Sequence, residues 1–281
     1  MRSTDRTAAL RNILGRTGTV TPVFGVPTAF HAAIMESCGA EVAFIGTGIT
    51  LGNYTGLPDT GVVTMTESIA AARYIARAVS IPLILDGDTG HGGEHAVRRL
   101  VEECIDAGLA GLRLDDQVLE AKRATQTGGI EIVDRQAAID RYATAVQRRD
   151  ELDPNFVIMA QCYARDAVGS DLDTCLDRLC AYESEAHVDW VQFESPHTRD
   201  EVRAARAVVR GTLSVMKGRM QSIPSLEEHL ELGINMAWYT FFPDRILKGA
   251  CHDAMSAFAE HGLAAWTEHR PAYADNPYTP R

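Results

Sequence analysis

The sequence predicts a single (β/α)8 barrel of the TIM type, and three observations lead there. Eight short apolar runs recur along the 281 residues, each closed by a Gly- or Asp-rich break, with helical stretches between them. The runs are continuously apolar rather than alternating, the pattern of strands buried on both faces of a parallel sheet. No Pro/Ser-rich linker divides the chain, so residues 1–281 read as one α/β domain with a C-terminal helical extension. An open doubly wound sheet more often shows fewer strands, or a glycine fingerprint after the first.

Taken in order, the first run is "TPVFGV" at 21–26, and the second, "VAFIGTG" at 42–48, ends in Gly46, Thr47 and Gly48. The third, "PLILDGD" at 82–88, ends in Asp86 and Asp88. A helix is predicted over 92–108, where Ala96, Val97, Leu100, Val101, Cys104 and Ile105 recur at helical spacing opposite Arg98, Arg99, Glu102 and Glu103. Gly108 stops it. The fourth run, "GLRLDD" at 111–116, ends in Asp115, Asp116 and then Gln117; the stretch 135–151 after it is charged on one side only, a solvated helix face. "FVIMAQC" at 156–162 brings Gln161 and, just beyond, Arg165; "WVQFES" at 190–195 brings Glu194. "LSVMKG" at 213–218 leads to Lys217 and Arg219, "NMAWYT" at 235–240 completes the set, and the tail "HRPAYADNPYTPR" reads as irregular.

Charge and composition narrow the function. A net charge of −11 argues against a nucleic-acid groove, which needs clustered Lys and Arg. No stretch reaches the ~20 consecutive apolar residues of a membrane span, and the N-terminus lacks a signal-peptide core. The six cysteines, Cys38, Cys104, Cys162, Cys175, Cys180 and Cys251, form no CxxC pair, and most read as reduced core residues. A cytoplasmic protein is expected.

Barrel active sites are built where strands end and their loops begin. Those positions are acidic on one side here, through Asp86, Asp88, Asp115 and Asp116, and basic on the other. Buried carboxylates held close together repel unless a positive partner sits between them, and oxygen-rich neighbours suit a hard cation, Mg2+ or Mn2+. A single strand-end Asp more often caps the following helix. The pairing of two such positions on consecutive strands favours the metal. Asp88 is expected to point the same way as Asp86, because side chains two apart in a strand share a face.

These residues resemble a known family. "LDGDTGHGG", followed by "LDDQVLEAKR", together with "FIGTGITLGNYTGLPDTG", "PNFVIMAQ" and "FESP", is similar to the isocitrate lyase / phosphoenolpyruvate mutase superfamily, nearest the methylisocitrate lyase and dimethylmalate lyase branch. The resemblance implies a barrel whose last helix is exchanged between subunits of a dimer within a tetramer, and a bound Mg2+. It places Asp86, Asp88 and Asp115 in the metal sphere, the last in place of a glutamate and so one methylene short, leaving room for a water. Gly46, Thr47 and Gly48 fall where a substrate carboxylate is held, and Asp59 and Glu194 around the metal waters and substrate. His91 reads as a loop contact.

The implied chemistry breaks a C–C bond beside a 2-hydroxy group, leaving electrons on an enolate oxygen that a cation and backbone N–H groups stabilise. A base takes the hydroxyl proton and an acid returns one to the departing carbanion. In the family's lyases the acid is a loop cysteine in a Lys-Arg-Cys-Gly-His motif. Here Lys122 and Arg123 are kept, but Ala124 replaces the cysteine, with Thr125 and Gln126 after it. Where the family reads Ala-Arg-Thr-Asp-Ala, this chain has "AQCYARDA", putting Gln161 in the arginine's place and displacing the arginine to Arg165. Cys162 and Tyr163 become candidate donors. Expected catalytic residues are Lys122, Arg123, Arg165 and Glu194, with Gln161 and Thr125 added to the substrate contacts. The first expectation is a metal-dependent lyase on a small carboxylate, a substituted 2-hydroxy-dicarboxylate, giving an α-keto acid. Phosphonopyruvate P–C chemistry and a non-catalytic barrel are the alternatives.

Overall fold

The computed structural model describes residues 3–125, 127–216, 218–272 and 278. Gln126, Lys217 and most of the C-terminal tail lie outside them. All eight predicted strands are present: β1 Thr21–Gly25, β2 Ala43–Ile45, β3 Leu83–Asp86, β4 Gly111–Asp115, β5 Val157–Cys162, β6 Trp190–Phe193, β7 Thr212–Val215 and β8 Met236–Trp238. Neighbours pair in parallel from β7 down to β1 and on to β8. The sheet thereby curls into a nearly closed barrel with helices between successive strands.

The continuous hydrophobicity of the strands now has its reason, since each strand feeds two separate cores. Outward residues such as Leu83, Leu85, Leu112, Leu114, Ile158, Ala160, Val191 and Phe193 pack on the helix layer. Inward residues Val23, Phe44, Ile84, Val157, Met159, Trp190, Met236 and Trp238 fill the barrel. Leu10 and Ile13 of the first helix, Ser3–Leu14, join that inner cluster and plug the barrel. The predicted helices appear as Glu94–Asp106 and Arg135–Leu152. Side-chain caps start several of the others, including full capping boxes at Thr64/Glu67 and Ser225/Glu228 that satisfy the first free N–H groups.

After β8 the chain forms the helices Phe241–His261 and Leu263–Ala272. They leave Phe242, Ile246, Met255, Phe258, Leu263 and Trp266 largely exposed. Among the described residues no helix is long and apolar enough to cross a membrane.

Candidate active site

Inside the barrel the apolar layer gives way, toward the C-terminal strand ends, to a buried polar one. Asp86 closes β3, and its carboxylate Oδ2 accepts from the Arg113 guanidinium on neighbouring β4 at 2.7 Å and from the Thr47 N–H at 3.4 Å. The Asp88 N–H reaches its Oδ1 at 3.3 Å. Arg113 also donates to Gln192 Oε1 at 3.1 Å and stacks 4.4 Å from the Phe44 ring centre. Strand alternation does not place Asp88, contrary to the expectation from sequence. It lies beyond β3 in a left-handed turn with φ of 50°, and that turn delivers its carboxylate to the site. Its Oδ1 accepts from Thr47 Oγ1 at 3.0 Å and from Lys122 Nζ at 2.9 Å.

Lys122 arrives from the loop after β4 and also binds Asp59 Oδ1 at 2.5 Å, joining that loop to the segment after β2. Asp115 faces the same interior from the end of β4 and accepts the Gln117 N–H at 3.1 Å. Glu194 is wholly buried; Gln161 Nε2 donates to its Oε2 at 2.7 Å, while Oε1 has no partner among the described residues.

Five carboxylates outnumber the two cations Arg113 and Lys122 in this interior, and their acidities divide accordingly. Burial pushes Asp86 up, but Arg113, Lys122 and two backbone N–H groups outweigh it and hold the group below the usual range. Asp88 is pushed up to about 7, by burial first and the Asp86 charge second. Asp115 rises to about 6, chiefly through burial, against Lys122 and Arg141. Burial likewise lifts Glu194 to about 7 despite its Gln161 hydrogen bond. Lys122 is held firmly protonated, because Asp88, Asp115, Asp59 and Asp86 together overcome the cost of burying it. Left-handed non-glycine residues also gather here: Asp88, His91 and Ser195, the last beside Glu194. Such strain collects where function over-determines the backbone.

The structure thus brings together Thr47, Asp59, Asp86, Asp88, Asp115, Lys122, Gln161 and Glu194. Gly48 lies against Asp59, where an added Cβ would come 3.3 Å from its Oδ2, while the Gly46 N–H is committed to Thr50 Oγ1 at 3.2 Å. Arg123 is exposed, with its backbone N–H and C=O both held by the Gln117 side chain at 3.0 and 3.1 Å. Thr125 Oγ1 pairs with Tyr163 O–H at 2.9 Å. His91 is partly buried and leaves Nε2 without a partner among the described residues.

Arg165 does not join this set. It ion-pairs with Glu201 at 2.9 Å and reaches His197 Nδ1 at 2.9 Å, so the interior position at the end of β5 belongs to Gln161. Cys162 faces the helix layer, its Sγ 3.9 Å from that of Cys175, and burial raises its thiol well above the usual range. That leaves Tyr163 as the donor candidate of the two. Asp116 also points outward, accepting from Tyr182 O–H at 2.7 Å and the Tyr163 N–H at 2.8 Å. Arg219 binds Asp166 at 2.8 Å. Arg113 sits in the middle of β4 rather than at its end, so the strand-end pattern does not pick it out; the sequence signal for it is a lone arginine inside an apolar strand.

Comparison with known proteins agrees with this architecture. The family model for phosphoenolpyruvate phosphomutase matches residues 19–259. A probable 2-methylisocitrate lyase from Corynebacterium glutamicum is 34% identical over 247 residues, 84% of this chain and 77% of that protein. The 2,3-dimethylmalate lyase of Eubacterium barkeri is 33% identical over 217 residues, covering 76% of this chain and 73% of its own length. A crystal structure of 2,3-dimethylmalate lyase superimposes with a TM-score of 0.84 at 25% identity, over 93% of this chain and 86% of that one. With the family model matching most of its length, the chain belongs to the phosphoenolpyruvate mutase / isocitrate lyase superfamily of enzymes.

Proposed function

We propose that this protein is a divalent-metal-dependent lyase that cleaves a C–C bond in a small substituted 2-hydroxy-dicarboxylate and releases an α-keto acid. The observation that carries the reading is the convergence of Asp86, Asp88, Asp115 and Glu194 in one buried layer, with an excess of negative charge and one carboxylate oxygen left unpartnered. Among the described residues no three acidic, His or Cys side chains close tightly enough to encase an ion. A donor set of this kind suits Mg2+ or Mn2+ retaining much of its water shell. Asp86, Asp88 and Asp115 would hold it, and it would supply electrophilic stabilisation of oxygen charge.

The chain's own residues account for the rest. The loop residues Thr47 and Gly48 meet the substrate carboxylate. Glu194 is the base: its free Oε1 takes the hydroxyl proton, and an acidity near 7 keeps a useful fraction ionised at neutral pH. As the C–C bond breaks, the electron pair passes to the departing fragment. Lys122 ties the loop after β4 to Asp59 and Asp88, which seats that loop over the strand ends and excludes water.

The phosphonopyruvate reading takes Thr125 or Thr127 as its loop hydroxyl; the first pairs with Tyr163 O–H at 2.9 Å and the second donates to the Ala124 carbonyl at 2.7 Å. The lyase reading extends to a homo-oligomer, dimer or tetramer, in which the apolar residues exposed on Phe241–His261 and Leu263–Ala272 are covered by a second copy through helix exchange. It also extends to the cytoplasm, where the chain's free cysteines stay reduced. The test is to assay the purified protein with Mg2+ and with EDTA against 2,3-dimethylmalate, 2-methylisocitrate, oxaloacetate and phosphonopyruvate while following pyruvate. Metal-dependent release from a 2-hydroxy-dicarboxylate supports the reading; release from phosphonopyruvate alone replaces it.

A further inference from the structure

The family resemblance implies a loop cysteine as the proton donor, but the chain carries Ala124 at that position, whose methyl holds no proton to give. Along β5 the side chains alternate. Gln161 faces the barrel and holds Glu194, and Cys162 faces the helices; Tyr163 lies just past the strand, where φ of −94° and ψ of −1° end the alternation, and the charges of Glu194, Asp115, Lys122 and Arg113 all act on its phenol, which sets it beside the site. Its ring packs against Ile130 and Ala167, its N–H is fixed by Asp116 Oδ1 at 2.8 Å, and it is 3% exposed. Its hydroxyl meets Thr125 Oγ1, the residue next to the vacated cysteine position, at 2.9 Å. The phenol is thus buried, anchored at its backbone, and met at its tip by the loop after β4.

Resting on the lyase reading, we propose that Tyr163 returns the proton to the departing carbon and that Thr125 is the hydrogen-bond partner positioning its hydroxyl. The step balances. The substrate C–C bond breaks with its electron pair on the departing carbon, the Tyr163 O–H bond breaks as the new C–H bond forms, and the phenolate left behind accepts from Thr125 Oγ1–H until solvent reprotonates it on loop opening. The electrostatics agree: burial, Glu194 and Asp115 keep the phenol protonated beforehand, and Lys122 and Arg113 favour the transient phenolate. A carbanion beside a carboxylate is far more basic than a phenolate, so the transfer runs downhill.

The experiment follows 2,3-dimethylmalate cleavage in D2O with Mg2+, reading kcat, KM and the configuration of deuterium at C2 of the propionate formed. Wild type should place one deuteron on one face. Tyr163→Phe, with its fold checked by circular dichroism, should lose about 10²–10⁴-fold in kcat with KM changed by less than about threefold, and its residual product should carry deuterium on both faces. Thr125→Val should lose less and keep the single face. Full kcat with one-face labelling in Tyr163→Phe overturns the assignment. So does a raised KM with faster proteolysis of the loop at unchanged kcat, which is the signature of a docking contact. A wild type that cleaves the probe beside an unaffected Tyr163→Phe refutes the donor alone; a wild type that releases an α-keto acid from no 2-hydroxy-dicarboxylate refutes the lyase reading and the donor with it.

Discussion

Replacing Arg113 by leucine removes one partner of a buried ion pair while keeping an apolar body among Phe44 and Trp238. The Arg113 and Asp86 side chains are only 8% and 7% exposed and 2.7 Å apart. Removing one member of such a pair typically costs about 3–5 kcal/mol, because the other charge is left uncompensated. Protonation of Asp86 limits the loss. Raising its pKa from the ordinary 3.8 to 7, at which it is half neutral at pH 7, costs about 1.4 kcal/mol per unit, so the charge contributes at most about 4 kcal/mol. The lost donation to Gln192 and stacking on Phe44 add to this, and leucine's own burial returns part, leaving about 3–4 kcal/mol at pH 7. The pH dependence carries a sign. In wild type Asp86 is held below its ordinary value, so its contribution persists at neutral pH and disappears only as pH falls through that depressed value. In the variant the pKa of Asp86 is raised, and the stability lost at pH 7 returns as pH falls toward 4. The difference between the two proteins in urea unfolding, followed by circular dichroism with EDTA present, should therefore shrink from pH 7.5 to pH 5. A difference below about 1 kcal/mol at pH 7.5, or one that does not change with pH, would refute the reasoning.

Three further outcomes are expected. Asp88→Gly removes a carboxylate pushed up to about 7 and relieves a left-handed φ of 50°, while Lys122 keeps Asp59; stability in EDTA should hold or rise by about 1 kcal/mol as activity disappears, and marked destabilisation on melting contradicts this. Wild-type kcat/KM should climb with pH through about 7 as Glu194 ionises, and Glu194→Gln should lose about 10²–10⁴-fold together with that limb; a flat wild-type pH profile contradicts the base assignment. The wild type should not cleave isocitrate or 2-methylisocitrate, and Ala124→Cys should not restore either activity, because Thr125, Gln161 and Tyr163 rebuild the neighbouring wall. Efficient wild-type turnover of one of them contradicts the point.

The barrel was legible because all eight strands bury both faces, so their apolar runs stand out without alternation. Strand-end reading also found Asp86, Asp115, Gln161 and Glu194, whose positions follow directly from the ladder. It failed where a turn or a loop does the placing. Asp88 reaches the site through a left-handed turn, not through strand period. Arg165 carries the charge expected at the end of β5, yet Glu201 on the helix Arg199–Val208 draws it outward. Arg113 escaped notice because its partner Asp86 lies across a strand pair, in a register fixed only once β3 and β4 are joined. The Tyr163–Thr125 pair depends on how the loop after β4 is seated, which no local pattern encodes.

The most direct test of the central claim is the rate of pyruvate release from 2,3-dimethylmalate by wild type and by Asp88→Ala, each with Mg2+ and with EDTA. The account predicts metal-dependent turnover in wild type, none in the variant, and identical circular dichroism for both. Turnover that survives EDTA, or an Asp88→Ala variant as active as wild type, would contradict it.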